Sequence, residues 1–253
     1  MRQLLNHTSG LWNFTDTDDI RGLLNRARRD YTDDELLALM RSPKEVLKTE
    51  PGTAAAYSNT GYVLLAQVLE RTSGRTYAEL LREKITGPLG LLHTAPDDRA
   101  DVVPGRVQGY LIDRAAAGRF RNNSFVSGTW GKGAGNIRST AEELCVWQEA
   151  LFAGRVLKPA SLEAMLAPTK LRDGSEAKPA YGLGMMIGEA QGRRYYHHDG
   201  ATAGFAAHVM SFPNAGATLA YVFNADWGEN RPDPEALRLM NAFRGAALRL
   251  ALS

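Results

Sequence analysis

A chain of 253 residues with 30 Lys and Arg against 28 Asp and Glu carries a formal charge of +2, too balanced to argue for nucleic acid or an acidic membrane surface. Its single cysteine, Cys145, excludes an intrachain disulfide and any multi-thiolate metal site. No apolar run approaches the roughly 18 to 20 residues that cross a bilayer, so no transmembrane segment is expected, and no charged-then-apolar leader follows Met1.

Taken in chain order, the basic cluster RARRD (26–30) reads as the solvated end of a short helix. Thr32 and Glu35 form a capping box for DDELLALM, and Thr76 with Glu79 forms another for YAELLREKI. Between them TGYVLLAQVLERT repeats apolar groups at 62, 65, 66 and 69, with Gly74 suited to the stop. Ser139 and Glu142 are expected to cap a fourth helix that runs through Trp147 and Leu151 to Gly154, with Cys145 packed inertly inside it. After residue 178 the pattern changes to three strands, YGLGMMIG, YYHHDGATAGFAAHVMSF and ATLAYVFNAD, separated by the turn signals QGRR and PNAG. A last helix starts at Asp233 and Pro234, with apolar positions 237, 240, 243 and 247. The expected fold is α+β in one domain, 1–253. A helical region, 1–177, precedes an antiparallel meander with the C-terminal helix on one face, 178–253.

Several nominal motifs fail. GTWGKGAGN (128–136) matches neither a phosphate-binding loop nor a dinucleotide fingerprint and reads as a tight turn. The acidic TDTDD near residue 16 lacks the glycine and closing glutamate of a calcium loop. The five histidines show no ligand spacing, so no metal and no cofactor are expected. Ser175-Glu-Ala-Lys178 spells Ser-x-x-Lys, in which a lysine one helical turn away can take the serine's proton. Its surroundings, RDGSEAKPAYG, are those of a surface loop, because Gly174 and Pro179 bracket a turn where that chemistry needs a helix.

AAAYSNTGYVLLAQVLE (54–70) places Tyr57, Ser58 and Asn59 at the start of an apolar helix. Both Ser58 and Asn59 are good N-cap residues. An extended segment would instead point Tyr57 and Asn59 one way, onto the wall of a cleft, and Ser58 the other.

In order along the chain, LLNHTSGL (4–11), PGTAAAYSNTGYVLLAQVLERTSGRTYAELLREKITGPLGLLHT, AGNIRSTAEEL, YGLGM and HHDGATAGF resemble the serine β-lactamase-like family. That family includes class C β-lactamases, D-alanyl-D-alanine carboxypeptidases, D-aminopeptidases and esterases. The resemblance implies a β-lactamase/transpeptidase-like fold and acyl-enzyme hydrolysis of a small ester, peptide or lactam without a cofactor. It implies that Tyr57 shuttles protons to and from the nucleophile, and that Asn59 binds the substrate's acyl-side amide as well as being free to cap. His198, Asp199 and Gly200 match the family's His-x-Gly variant of Lys-Thr-Gly. Gly200 would let substrate lie against the strand, and the Ala201 N–H would give half of an oxyanion hole. An imidazole grips a carboxylate less firmly than an ammonium, which favours esters or short peptides over penicillins.

One departure outweighs the matches. The family's Ser-x-x-Lys precedes the LLNHTSGL word by a few dozen residues, and here that word begins at Leu4. The expectation is a family member lacking its N-terminal part, with a non-catalytic binding or assembly pseudoenzyme as the alternative. Compartment is left open, and loss of the first strands implies a bared sheet edge through which the chain could self-associate as a homo-oligomer.

Overall fold

The computed structural model describes residues 1–16, 29–98, 102–113, 119–202, 204–226 and 234–252. The acidic stretch from Thr17 and the basic residues before Arg29 lie outside them, as does Asp233. Among the described residues, helices α1 (Arg2–Leu5), α2 (Asp33–Met40), α3 (Asn59–Ser73), α4 (Tyr77–Leu81), α5 (Gly87–Leu89), α6 (Ala141–Phe152), α7 (Pro159–Leu166) and α8 (Pro234–Leu252) are interleaved with nine strands. Local chemistry explains the clearest boundaries. Both expected capping boxes are present, Thr32 with Glu35 on α2 and Thr76 with Glu79 on α4. Gly74, left-handed at φ 68°, closes α3.

The strands β5 (Met186–Ala190), β6 (Arg193–Thr202), β7 (Phe205–Phe212) and β8 (Ala217–Phe223) make an antiparallel sheet in the order β5-β6-β7-β8. The meander therefore has four strands where three were expected, because YYHHDGATAGFAAHVMSF folds back on itself with Thr202 opposite Phe205. An unbroken strand of that length would far exceed the usual five or six residues, and Gly204 at φ 93° turns the chain. Strands also occur inside the region read as helical. Here β1 (Ala95–Pro96) pairs with β4 (Ile137–Arg138), and β2 (Tyr110–Asp113) joins β3 (Arg119–Asn122) and β9 (Ala225–Asp226). These strands are too short to show a period of two, so the sequence pattern does not betray them.

Helices cover both faces of the main sheet. On one, α6 packs Phe152 against Tyr196 at 5.6 Å between centroids. On the other, α8 sets Phe243 edge-on to Tyr221 at 5.3 Å, and Leu248 packs on Tyr195, Met210 and Phe212. A separate core, Trp12, Phe14, Tyr31, Leu36, Met40 and Val63, joins the N-terminal loop to α2 and α3. The buried stripe of α3 is Thr60, Gly61, Val63, Ala66 and Gln67 rather than 62, 65, 66 and 69, and Leu69 is exposed. Close approach sets that rotation, because a Cβ on Gly61 would lie 3.2 Å from the Leu4 carbonyl oxygen. Helix α6 is capped by Thr140, whose hydroxyl accepts from Glu143 N–H, one residue on from the expected Ser139 and Glu142. Ser139 follows β4 directly and bonds the Thr94 hydroxyl at 2.7 Å instead. Cys145 on α6 is half-buried, with its thiol pKa raised by burial and then by Glu149, which suits inert packing.

The turn reading of GTWGKGAGN holds. Gly133 sits at φ 71°, and a Cβ there would lie 2.7 Å from Ala66 Cβ and 3.0 Å from the Tyr62 carbonyl oxygen. Gly133→Ala should therefore destabilise the fold by about 1–3 kcal/mol; a urea midpoint equal to that of the unsubstituted chain would contradict this. Among the described residues, no helix is long and apolar enough to cross a membrane.

Candidate active site

The chain before α3 is stitched to residues 7–15. Ser58 N–H donates to His7 Nδ1 at 3.1 Å, and the Ser58 hydroxyl donates to the Trp12 carbonyl at 3.2 Å. Asn59 N–H donates to Asn13 Oδ1 at 3.0 Å, and Asn59 Nδ2 donates to Thr15 Oγ1 at 2.9 Å. Neither side chain caps the helix, although Ser58 occupies the N-cap position. The extended backbone at Ser58, φ −148° and ψ 111°, makes the side chains alternate. Ser58 is 1% exposed and Tyr57 44%, so only the phenol reaches the surface of the site.

Tyr57 belongs to an aromatic group that sequence reasoning saw only in part. Its ring lies 4.3 Å from His7 and 6.1 Å from His198, while Tyr181 lies 4.7 Å from His7 and 6.1 Å from His198. Tyr57 and His198, 141 positions apart, are thus brought together, whereas the Asn59 amide is turned toward Thr15. His7 and Tyr181 had no assigned role, although both lie in the LLNHTSGL and YGLGM words.

Electrostatics set the protonation of the group. His7 accepts through Nδ1, so the proton is on Nε2, and among the described residues that buried atom has no hydrogen-bond partner. Burial, then the neighbouring His198, lowers the His7 pKa to about 4. The Tyr57 phenol is pushed up by burial and then by Asp199. It is protonated at neutral pH and can donate to a leaving group; taking a proton from a nucleophile would require a cation beside it.

The strand edge supplies the other wall. The β5–β6 ladder ends at Met186 opposite His197, whereas β6 stays paired with β7 through Thr202. From His198 to Thr202, including Ala201 opposite Ala206, β6 is therefore laddered on one side only among the described residues. Gly200 is exposed, and a Cβ there would meet open space. On the opposite face of β6, His197 Nδ1 and His208 Nε2 are 3.2 Å apart, and His208 Nδ1 is 2.8 Å from the Tyr221 hydroxyl. Among the described residues no cluster of His, Cys, Asp or Glu could hold a metal ion. Ser175 lies in a turn with its hydroxyl donating to Asp173 at 2.6 Å, as the loop reading expected.

A sequence model of the family described as beta-lactamase matches residues 1–242. The chain belongs to the beta-lactamase family. Among curated relatives, penicillin-binding protein 4* of Bacillus subtilis is 28% identical over 242 residues, covering 89% of this chain and 51% of that protein. A D-aminopeptidase of Gluconobacter oxydans is 24% identical over 178 residues, covering 70% of this chain and 33% of the relative. The chain thus spans at most about half the length of these two relatives. Among solved structures, a D-stereospecific amidohydrolase from Streptomyces sp. superposes with a TM-score of 0.79 at 28% identity, covering 90% of this chain and 68% of that one. The penicillin-binding protein of Bacillus halodurans, at 24% identity and a TM-score of 0.77, supports the fold alone; it covers 96% and 72% of the two chains. Membership places the chain among proteins of the beta-lactamase fold.

Proposed function

We propose that this chain carries the Tyr57 wall and the substrate strand of a serine acyl-hydrolase site acting on small esters or short peptides. Tyr57 is its proton-transfer group, His198, Gly200 and the Ala201 N–H line the substrate edge, and Asn59 assists the acyl side by turning from Thr15. The observation that carries the reading is the pairing of an exposed, protonated phenol with the half-laddered edge of β6 across the His198 ring. The printed activities of the relatives, a D-aminopeptidase and a D-stereospecific amidohydrolase, agree with amide substrates.

The chain's one Ser-x-x-Lys lies in the 171–180 loop, so on this reading the chain alone forms no acyl-enzyme. Incubated with a fluorophosphonate or a penicillin, it should show no added mass, and it should leave p-nitrophenyl esters at the background rate. A stoichiometric adduct would sink that expectation. Loss of such an adduct in Ser175→Ala would move the nucleophile to the loop. If ligands of this class shift Tyr57 and His198 resonances but joining a segment that supplies a Ser-x-x-Lys gives no hydrolysis, a binding module built on the same face is the better description.

A further inference from the structure

Among the described residues, His7 and Gln191 are the two non-glycine residues with positive φ, His7 at 59°. A left-handed backbone is unfavourable for a residue with a Cβ and persists where the surroundings over-determine it. At His7 those surroundings lead to Tyr57. The His7 carbonyl accepts Ala56 N–H at 2.9 Å, and its Nδ1 accepts Ser58 N–H at 3.1 Å. The N–H groups on either side of Tyr57 thus end on one residue, whose ring lies 4.3 Å from the Tyr57 ring.

His7 is itself fixed from behind. The Tyr62 hydroxyl donates to the Leu5 carbonyl at 2.7 Å, and the Thr8 carbonyl accepts Gly52 N–H at 2.7 Å. Tyr57 is 44% exposed, and a side chain that open to water samples several rotamers unless its neighbours hold it. Among the described residues His7 Nε2 has no partner, so Nδ1 carries the hydrogen bonding of the ring. Asparagine would tolerate the backbone better and could offer Oδ1 to Ser58 N–H. What asparagine lacks is a ring to lie against Tyr57.

We propose that His7 is the positioning residue of Tyr57, holding the phenol at the His198 edge by accepting both N–H groups that flank it and by stacking on its ring. His7 acts on the reaction through Tyr57 alone, so the inference rests on the reading of Tyr57 as the proton-transfer group.

Two variants separate the parts of this grip. His7→Asn keeps an acceptor for Ser58 N–H and removes the ring, whereas His7→Phe keeps a ring and removes the acceptor. In the full chain, His7→Asn should leave exchange protection of the Ser58 amide within a few-fold while the Tyr57 phenol, raised by burial, titrates back in the ordinary tyrosine range, read from its ring-carbon shift. His7→Phe should cut the Ser58 protection by about 10-fold or more. Joined to a segment that supplies a Ser-x-x-Lys, both variants should lose about 10- to 100-fold in kcat with KM little changed. In a Tyr57→Phe background His7→Asn should cost almost nothing further.

An unaltered Tyr57 titration in His7→Asn overturns the proposal. So does a lowered urea midpoint with kcat retained, which would make His7 a packing residue, or a His7→Asn loss undiminished in the Tyr57→Phe background. Should His7→Phe fail to fold, His7→Asn alone decides. If Tyr57→Phe itself turns over normally, the proton-transfer reading falls, while the titration still reports whether His7 holds the phenol.

Discussion

Joined to a segment that supplies a Ser-x-x-Lys nucleophile, the chain should hydrolyse small esters or amides, and Tyr57→Phe should lower kcat by about a hundred- to ten-thousand-fold with little change in KM. The expectation follows from what the substitution removes. A phenol and a phenyl ring fill nearly the same space, so the stacking on His7 at 4.3 Å is retained and only the proton-transfer oxygen is lost. A packing role would instead predict near-normal turnover. Steady-state kinetics of the two proteins distinguish them, and a Tyr57→Phe enzyme within a few-fold of its parent would end the assignment.

Acid should unfold the chain in a window set by two histidines. His7 and His208 both have folded-state pKa values of about 4 against an ordinary 6.5, each chiefly because burial disfavours the cation. Between those values the unfolded chain takes up protons that the native chain refuses, so stability falls as the pH drops from 6.5 towards 4 and is unaffected by these groups above 6.5. Each histidine contributes a loss on the order of 3 kcal/mol across that span. Urea midpoints should be flat between pH 7 and 8 and decline steeply below 6, and His208→Gln should flatten part of the decline. A midpoint constant from pH 7 to 4.5 would show that neither imidazole is buried as described.

Features decided by neighbouring residues were legible in the sequence, and features decided across the chain were not. The boxes at Thr32/Glu35 and Thr76/Glu79 need only four consecutive residues, and both form. At the start of α6 the same rule had two answers, since Ser139-Thr140 faces Glu142-Glu143; the distant hydroxyl of Thr94 draws Ser139 away. Ser58 and Asn59 looked like caps because their partners His7, Trp12, Asn13 and Thr15 lie 44 to 51 positions earlier. The same distance hid His7. A buried histidine whose orientation depends on a backbone N–H from another element carries no local signature. The facing of Tyr57 and His198 came from the family resemblance, since composition and periodicity do not place residues 57 and 198 together.

The edge of β6 beyond His197 has a consequence for how selectivity here can evolve or be engineered. Whatever lies along it meets main-chain donors and acceptors, which nearly every substitution leaves in place. Replacing Asp199, Gly200 or Ala201 changes what stands beside the ligand while the ladder it can join persists. Proline is the exception among the coded residues, because it alone subtracts a donor from the backbone. A sequence free to drift at these positions would thus trade one substrate for another far more readily than it would lose the capacity to hold an extended chain.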